Sequence, residues 1–213
     1  MSKPQPTSTT IPIDPDFFCD GQYVVLLSQS LGGSGMDPRA LADTLGGNDR
    51  KTMNDLVRRG VCLPIYFGAD CAMDRCTKFV VGDLDETHEK AWIARLTGRL
   101  AIPCGKLVLV CGGGVGEELE RAVSGKPADR DYCIYQSIDV PPGDYRVDVL
   151  TYLHSSTVSL LHEDLDDEEI QQKYRNLPSV DECYVVRLTP LQEELPLPAL
   201  VEEVDWPGVF EFR

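Results

Sequence analysis

Three observations predict an α+β fold: a single domain with a largely antiparallel sheet, open to a sandwich-like arrangement, and three or four helices packed on it. Segments with strand periodicity outnumber helical ones, the best-defined pair of strands reads as a hairpin, and no internal repeat divides the chain. With 213 residues and 42% hydrophobic content, the chain can bury a substantial core.

The hairpin is read at Tyr132 to Leu153. Ile134, Ile138 and Val140 alternate with Cys133, Tyr135, Ser137 and Asp139; Tyr145, Val147, Val149 and Leu153 then alternate with Arg146, Asp148 and Leu150. Period-2 alternation marks strands with one buried face. Pro141-Pro142-Gly143-Asp144 between them has turn chemistry, because proline presets φ and glycine accepts a positive one. Antiparallel pairing of the two strands is the expectation.

Taken in order, residues 1–15 are rich in Pro, Ser and Thr and read as a flexible N-terminal arm, leaving residues 16–213 as the α+β domain. Gln22 to Ser28 is short, apolar and bounded by glycines, which predicts a buried strand. Asp37-Pro38 predicts a helix start and Gly46-Gly47 its end, and a second helix runs from about Asp49 to Gly60. Val61 to Phe67 reads as a strand that Pro64 pushes towards an edge. Lys78 to Val81 makes a short strand. Asp83 or Asp85 caps a helix whose apolar stripe is Trp92, Ile93, Leu96 and Leu100. Lys106 to Val110 is a strand running into glycines. An acidic helix from about Asp166, a strand over Glu182 to Leu188 and a last edge strand over Val209 to Phe212 complete the chain.

Formal net charge is -15. From His162 to Arg213 there are fourteen acidic and four basic side chains, a balance of -10 that leaves -5 for the rest. Such a field repels nucleic acid and anionic membranes, whose phosphates call for clustered Lys and Arg. No stretch approaches the roughly 18 apolar residues of a membrane span, and Met1 to Thr10 carries no apolar run after Lys3. The expectation is a soluble, cytoplasmic protein without a cofactor. Its partner would be a basic protein, and Glu163, Asp164, Asp166, Asp167, Glu168 and Glu169 are the partner-binding candidates.

A second reading uses Leu107 to Leu119, LVLVCGGGVGEEL, where a strand runs into Gly112, Gly114 and Gly116 before a helix. The run resembles the glycine-rich loop of methyltransferases that bind S-adenosylmethionine. That resemblance implies a small-ligand site or an enzyme of nucleotide type, with Asp139, at the end of the next strand, near the spacing of a ribose-binding acid. The dinucleotide pattern G-x-G-x-x-G is not met, since its third glycine falls on Glu117.

Other patterns are thinner. Leu41 to Val61 has the outline of a helix-turn-helix with Arg50, Lys51, Arg58 and Arg59 near its second helix, against the global charge. Cys62, Cys71 and Cys76, with His88, Asp70 or Asp74, lack a second close pair to complete a metal site, so none is expected. HEDLDDEEI, from His162, lacks the glycine of a calcium loop. Cys104 or Cys111 with His154 is the pair to inspect for nucleophilic catalysis. No catalytic residue is assigned, and most of the eight cysteines read as reduced and packed as small hydrophobes.

Overall fold

The computed structural model describes residues 8–47, 49–127, 133–193 and 211–213. Strands β1 (Ser8–Ile11), β2 (Phe18–Cys19) and β3 (Tyr23–Ser28) are followed by helices α1 (Pro38–Leu45) and α2 (Arg50–Arg58). Both helices begin where an aspartate can satisfy a free backbone N–H: Asp37 accepts from Arg39 at 3.3 Å and Asp49 from Thr52 at 3.1 Å. The chain continues through β4 (Cys62–Tyr66), β5 (Cys71–Ala72), α3 (Met73–Cys76), β6 (Thr77–Gly82) and α4 (Glu86–Ala91). Then come β7 (Ala94–Ile102), β8 (Lys106–Cys111), α5 (Glu117–Val123), β9 (Tyr135–Asp139) and β10 (Gly143–Thr151). Helices α6 (Ser156–Leu161) and α7 (Asp167–Tyr174) precede β11 (Tyr184–Pro190) and β12 (Glu211–Phe212).

The strands make a six-stranded sheet of order β1-β6-β11-β10-β7-β12, a four-stranded sheet of order β4-β3-β8-β9, and a β2–β5 ribbon. Every named pair is antiparallel except β6 with β11. The domain is therefore α+β with a largely antiparallel sheet, as the sequence predicts. Val24 to Leu27 on β3 are all fully buried, so the four-stranded sheet is covered on both faces. One core cluster joins its side chains to Leu96, Leu100, Val147, Val149, Val186 and Leu188 of the larger sheet and to Leu41 and Leu119 of α1 and α5. Gly98 on β7 marks a closest approach of the sheets, because a Cβ there would lie 2.7 Å from the Leu63 methyls of β4.

The predicted hairpin is not one. β9 pairs with β8 in the four-stranded sheet, whereas β10 pairs with β7 and β11 in the six-stranded sheet. Pro141-Pro142 thus carries the chain from one sheet to the other, and two consecutive residues without an N–H suit a corner that donates nothing to either ladder. Pro103-Cys104-Gly105, between β7 and β8, crosses in the opposite direction. The two corners are joined by the Val140 N–H donating to the Gly105 carbonyl at 3.0 Å. Gly105 has φ +70°, and a side chain there would meet Pro142 at 3.2 Å. Tyr132 lies outside the described residues.

Two further expectations change. The helix with Trp92, Ile93, Leu96 and Leu100 ends at Ala91, and the last two of those residues lie on β7. Leu96 and Leu100, four residues apart, satisfy a helical stripe and a strand face equally well; Arg95, Thr97 and Arg99 between them supply the alternation of a strand. Within the predicted flexible arm, Ser8–Ile11 pair with β6, Ile11 opposite Phe79. Pro64 does fall on an edge strand, β4. Val209 and Phe210 lie outside the described residues, and Glu211–Phe212 pair with β7.

Candidate functional site

The acidic segment is held by three small anchors. Ser155 caps α6 by accepting from the Val158 N–H at 3.2 Å, and Val158 is fully buried beside Ile93 and Ile170. Ile170 is the buried residue of α7 and ties that helix to the end of the six-stranded sheet. Asp166 and Glu169 form a reciprocal cap. Asp166 Oδ1 accepts from the Glu169 N–H at 2.9 Å, and Glu169 Oε2 accepts from the Asp166 N–H at 3.0 Å.

The structure brings all six predicted partner-binding acids into this one segment, and all are exposed. They divide by role. Asp166 and Glu169 are occupied in the cap, while Glu163, Asp164, Asp167 and Glu168 form no ion pair among the described residues. Asp167 and Glu168 stand in the first turn of α7, where the helix macrodipole favours negative charge. Behind them His162 Nε2 lies 2.7 Å from the Tyr174 hydroxyl and 3.5 Å from Lys173 Nζ. Burial, reinforced by the Lys173 charge, holds the His162 imidazole below its ordinary range, so it adds no positive charge near neutral pH.

The glycine run takes the predicted order of strand, turn and helix, with Gly112–Gly114 as a tight turn between β8 and α5. Its glycines serve packing. A Cβ on Gly112 would come 2.5 Å from the Tyr23 ring, and one on Gly113 would come 2.6 Å from Asp20 Oδ2. The Gly113 N–H donates to the Asp20 carbonyl at 2.8 Å. Gly114 is buried against Val110 and Ile134, and Gly116 at φ +129° starts a helix whose first turn carries Glu117, Glu118 and Glu120. Asp139 is not brought to this turn. It pairs with Lys106 at the opposite end of β8, its carboxylate 2.5 Å from Lys106 Nζ.

Cys104 and His154 follow opposite ends of the paired strands β7 and β10, a separation of roughly 25 Å for nine residues of strand. Cys104 is also exposed rather than packed as a small hydrophobe, whereas Cys111 is buried. The predicted helix-turn-helix consists of α1 and α2, of which Leu56 and Val57 are buried and Arg59 pairs with Asp55 at 3.2 Å. Among the described residues no group of three or more His, Cys, Asp or Glu is arranged to hold a metal ion. His88 lies instead between Asp85 at 2.7 Å and Glu182 at 3.3 Å. No helix among the described residues is long and apolar enough to cross a membrane.

Two arrangements escaped the sequence reading. Asp148, taken as a polar-face residue of a strand, has no exposed surface. It accepts from Arg187 Nη2 at 2.7 Å, Arg146 Nη2 at 2.9 Å and Thr97 Oγ1 at 2.9 Å, and Arg187 also pairs with Glu89. The second is a row of thiols at the β2–β5 ribbon, assembled from residues far apart in sequence; spacing shows only its Cys71-x4-Cys76 part.

No protein-family model matches the sequence, and no curated protein matches it. Two solved structures are similar in fold. One, described as crocagin biosynthetic gene J, aligns with a TM-score of 0.47 and 12% identity over 87% of this chain and 99% of its own. The other is ComJ, inhibitor of the DNA degrading activity of NucA, from Bacillus subtilis, with a TM-score of 0.35 and 9% identity over 88% of this chain and 96% of its own. Both scores fall below 0.5.

Proposed function

We propose that the protein is a non-enzymatic interaction protein that binds a basic protein partner through its acidic segment, in the manner of an inhibitor or immunity-type protein. The supporting observation is four exposed carboxylates without an ion pair among the described residues, Glu163 and Asp164 in the turn before α7 and Asp167 and Glu168 in its first turn, beside the Asp166–Glu169 cap and the buried Ile170. Some carboxylates elsewhere are matched locally, as Asp148 is by Arg187 and Arg146 and Asp144 by Arg99 at 2.7 Å. What sets this segment apart is density, with six exposed carboxylates within residues 163–169. Such a patch raises the encounter rate with a basic surface and makes it fall as salt rises.

The test is affinity capture from the protein's own host at low and then raised salt, read by native mass spectrometry. Wild type is run beside a variant carrying Glu163→Gln, Asp164→Asn, Asp167→Asn and Glu168→Gln. A basic protein held in defined stoichiometry by wild type, released by salt and not captured by the variant supports the reading. A complex indifferent to both salt and neutralisation overturns it.

A further inference from the structure

Cys19 and Cys71 face each other across the β2–β5 ribbon as register partners. The Met73 N–H donates to the Phe17 carbonyl at 3.1 Å, and that bond sets the alternation of the ribbon. Two residues further along each strand, Cys19 and Cys71 fall again at a hydrogen-bonded pair, where opposed Cα atoms stand about 5.5 Å apart. That separation lies inside the disulfide window of about 4.4–6.8 Å. Opposed residues also project from the same face of the ribbon. Their side chains are accordingly neighbours, and the Cys71 thiol also donates to Met73 Sδ at 3.9 Å. Cys19 is buried, Cys71 and Cys76 are partly exposed, and none of the eight cysteines is in a disulfide.

We propose that Cys71 is the entry point of an oxidisable thiol pair, and that a low-molecular-weight disulfide such as glutathione disulfide joins it to Cys19. The Cys71 thiolate attacks one sulfur of glutathione disulfide, forming a protein–glutathione mixed disulfide and releasing one glutathione. The Cys19 sulfur, giving up its proton, then attacks the Cys71 sulfur and displaces the second glutathione. Two protein thiols lose two electrons, one glutathione disulfide becomes two glutathiones, and the two thiol protons end on those products. Hydrogen bonding to Cys19, together with burial, pushes the Cys71 thiol up to about 12. Its thiolate is scarce at neutral pH, so the exchange is slow there and quickens in alkaline buffer. The bond encloses β3, α1, α2 and β4 in a covalent loop, which restricts the unfolded chain.

The experiment equilibrates the full chain with glutathione disulfide and glutathione at graded ratios, quenches with acid, alkylates and maps peptides without reduction. A Cys104→Ser background removes the exposed thiol. The expected result is a loss of about 2 Da, the two thiol hydrogens, with a linked peptide pair joining Cys19 to Cys71. The oxidised form should melt at a higher temperature than the reduced one. Cys76→Ser should retain the link and Cys71→Ser should abolish it. If Cys71→Ser fails to fold, the maps of the background protein and of Cys76→Ser decide alone. Absence of the bond at every ratio, or Cys71 joined to Cys76 instead, overturns the proposal.

Discussion

Asp148 and Glu168 carry the same functional group and stand in opposite surroundings. Asp148 is fully buried on the six-stranded sheet among Arg187, Arg146 and Thr97, while Glu168 is exposed on the first turn of α7 without an ion pair among the described residues. A buried carboxylate is tolerated only where guanidinium and hydroxyl donors replace its lost hydration, so its charge is neutralised within the fold. An exposed one keeps its water and its charge, and can offer both to a partner. A net charge of -15 thus says little about a surface until the internally matched acids are separated from the unmatched ones.

The largest consequence lies on the buried side. Asp148→Ala leaves Arg187 and Arg146 short of an acceptor inside the sheet, and it should destabilise the fold by about 3–5 kcal/mol in urea denaturation at pH 7. Burial pushes the Asp148 carboxyl up, but hydrogen bonds from Arg187 and Arg146 outweigh it and hold the group below the usual carboxylate range. A carboxyl depressed in the folded state contributes stability that is present above its unfolded value of about 3.9 and is lost as pH falls through the lower folded value. The stability of wild type should therefore drop below about pH 4, and Asp148→Asn should flatten that part of the profile. A profile unchanged by Asp148→Asn would remove Asp148 from the class of internally matched acids.

The glycine turn is a middle case, in which residues with a functional outline turn out to be occupied by packing. Gly112→Val should cost about 1–3 kcal/mol, because its added carbons meet the Tyr23 ring. The strand, glycines and helix were legible as a succession. Tyr23 and Asp20, which fill the space against Gly112 and Gly113, were not, because contacts between distant parts of a chain leave no trace in local spacing. The same limit explains the lost hairpin. Alternation correctly marked Val147 and Val149 as buried, but a period of two names a face and never a partner strand. Cap chemistry is local, so Asp37, Asp49 and Asp166 could all be placed at helix starts from neighbouring residues alone. The acidic run was legible for the same reason, since its members are neighbours in sequence. The pairing of Asp148 with Arg187 and of Cys19 with Cys71 required the sheet.

Within the acidic segment the division is finer. Asp166 is exposed yet occupied, because its side chain satisfies the Glu169 N–H. Asp166→Ala should cost about 1 kcal/mol, the usual loss for an N-cap, and should reduce partner binding only as far as it frays α7. Thermal denaturation beside a binding assay separates the two effects. Equal losses of stability from Asp166→Ala and from Glu168→Gln would erase the distinction between capping and free acids.

The smallest effect on stability, and the most informative, belongs to the free acids. Neutralising Glu163, Asp164, Asp167 and Glu168 together removes no hydrogen bond that holds the fold, so the melting temperature should move by no more than about 2 °C. Some favourable interaction of Asp167 and Glu168 with the helix dipole is lost, and mutual repulsion among four neighbouring carboxylates is relieved, so the two changes oppose each other. Association is where the loss should appear, as a fall in on-rate that is largest at low salt and disappears as added salt screens the wild-type patch. Stopped-flow association at graded ionic strength reads this directly. Parallel salt dependence in wild type and variant would mean that the free carboxylates are only a solvated face, and the attraction of a basic partner would have to come from another part of the chain.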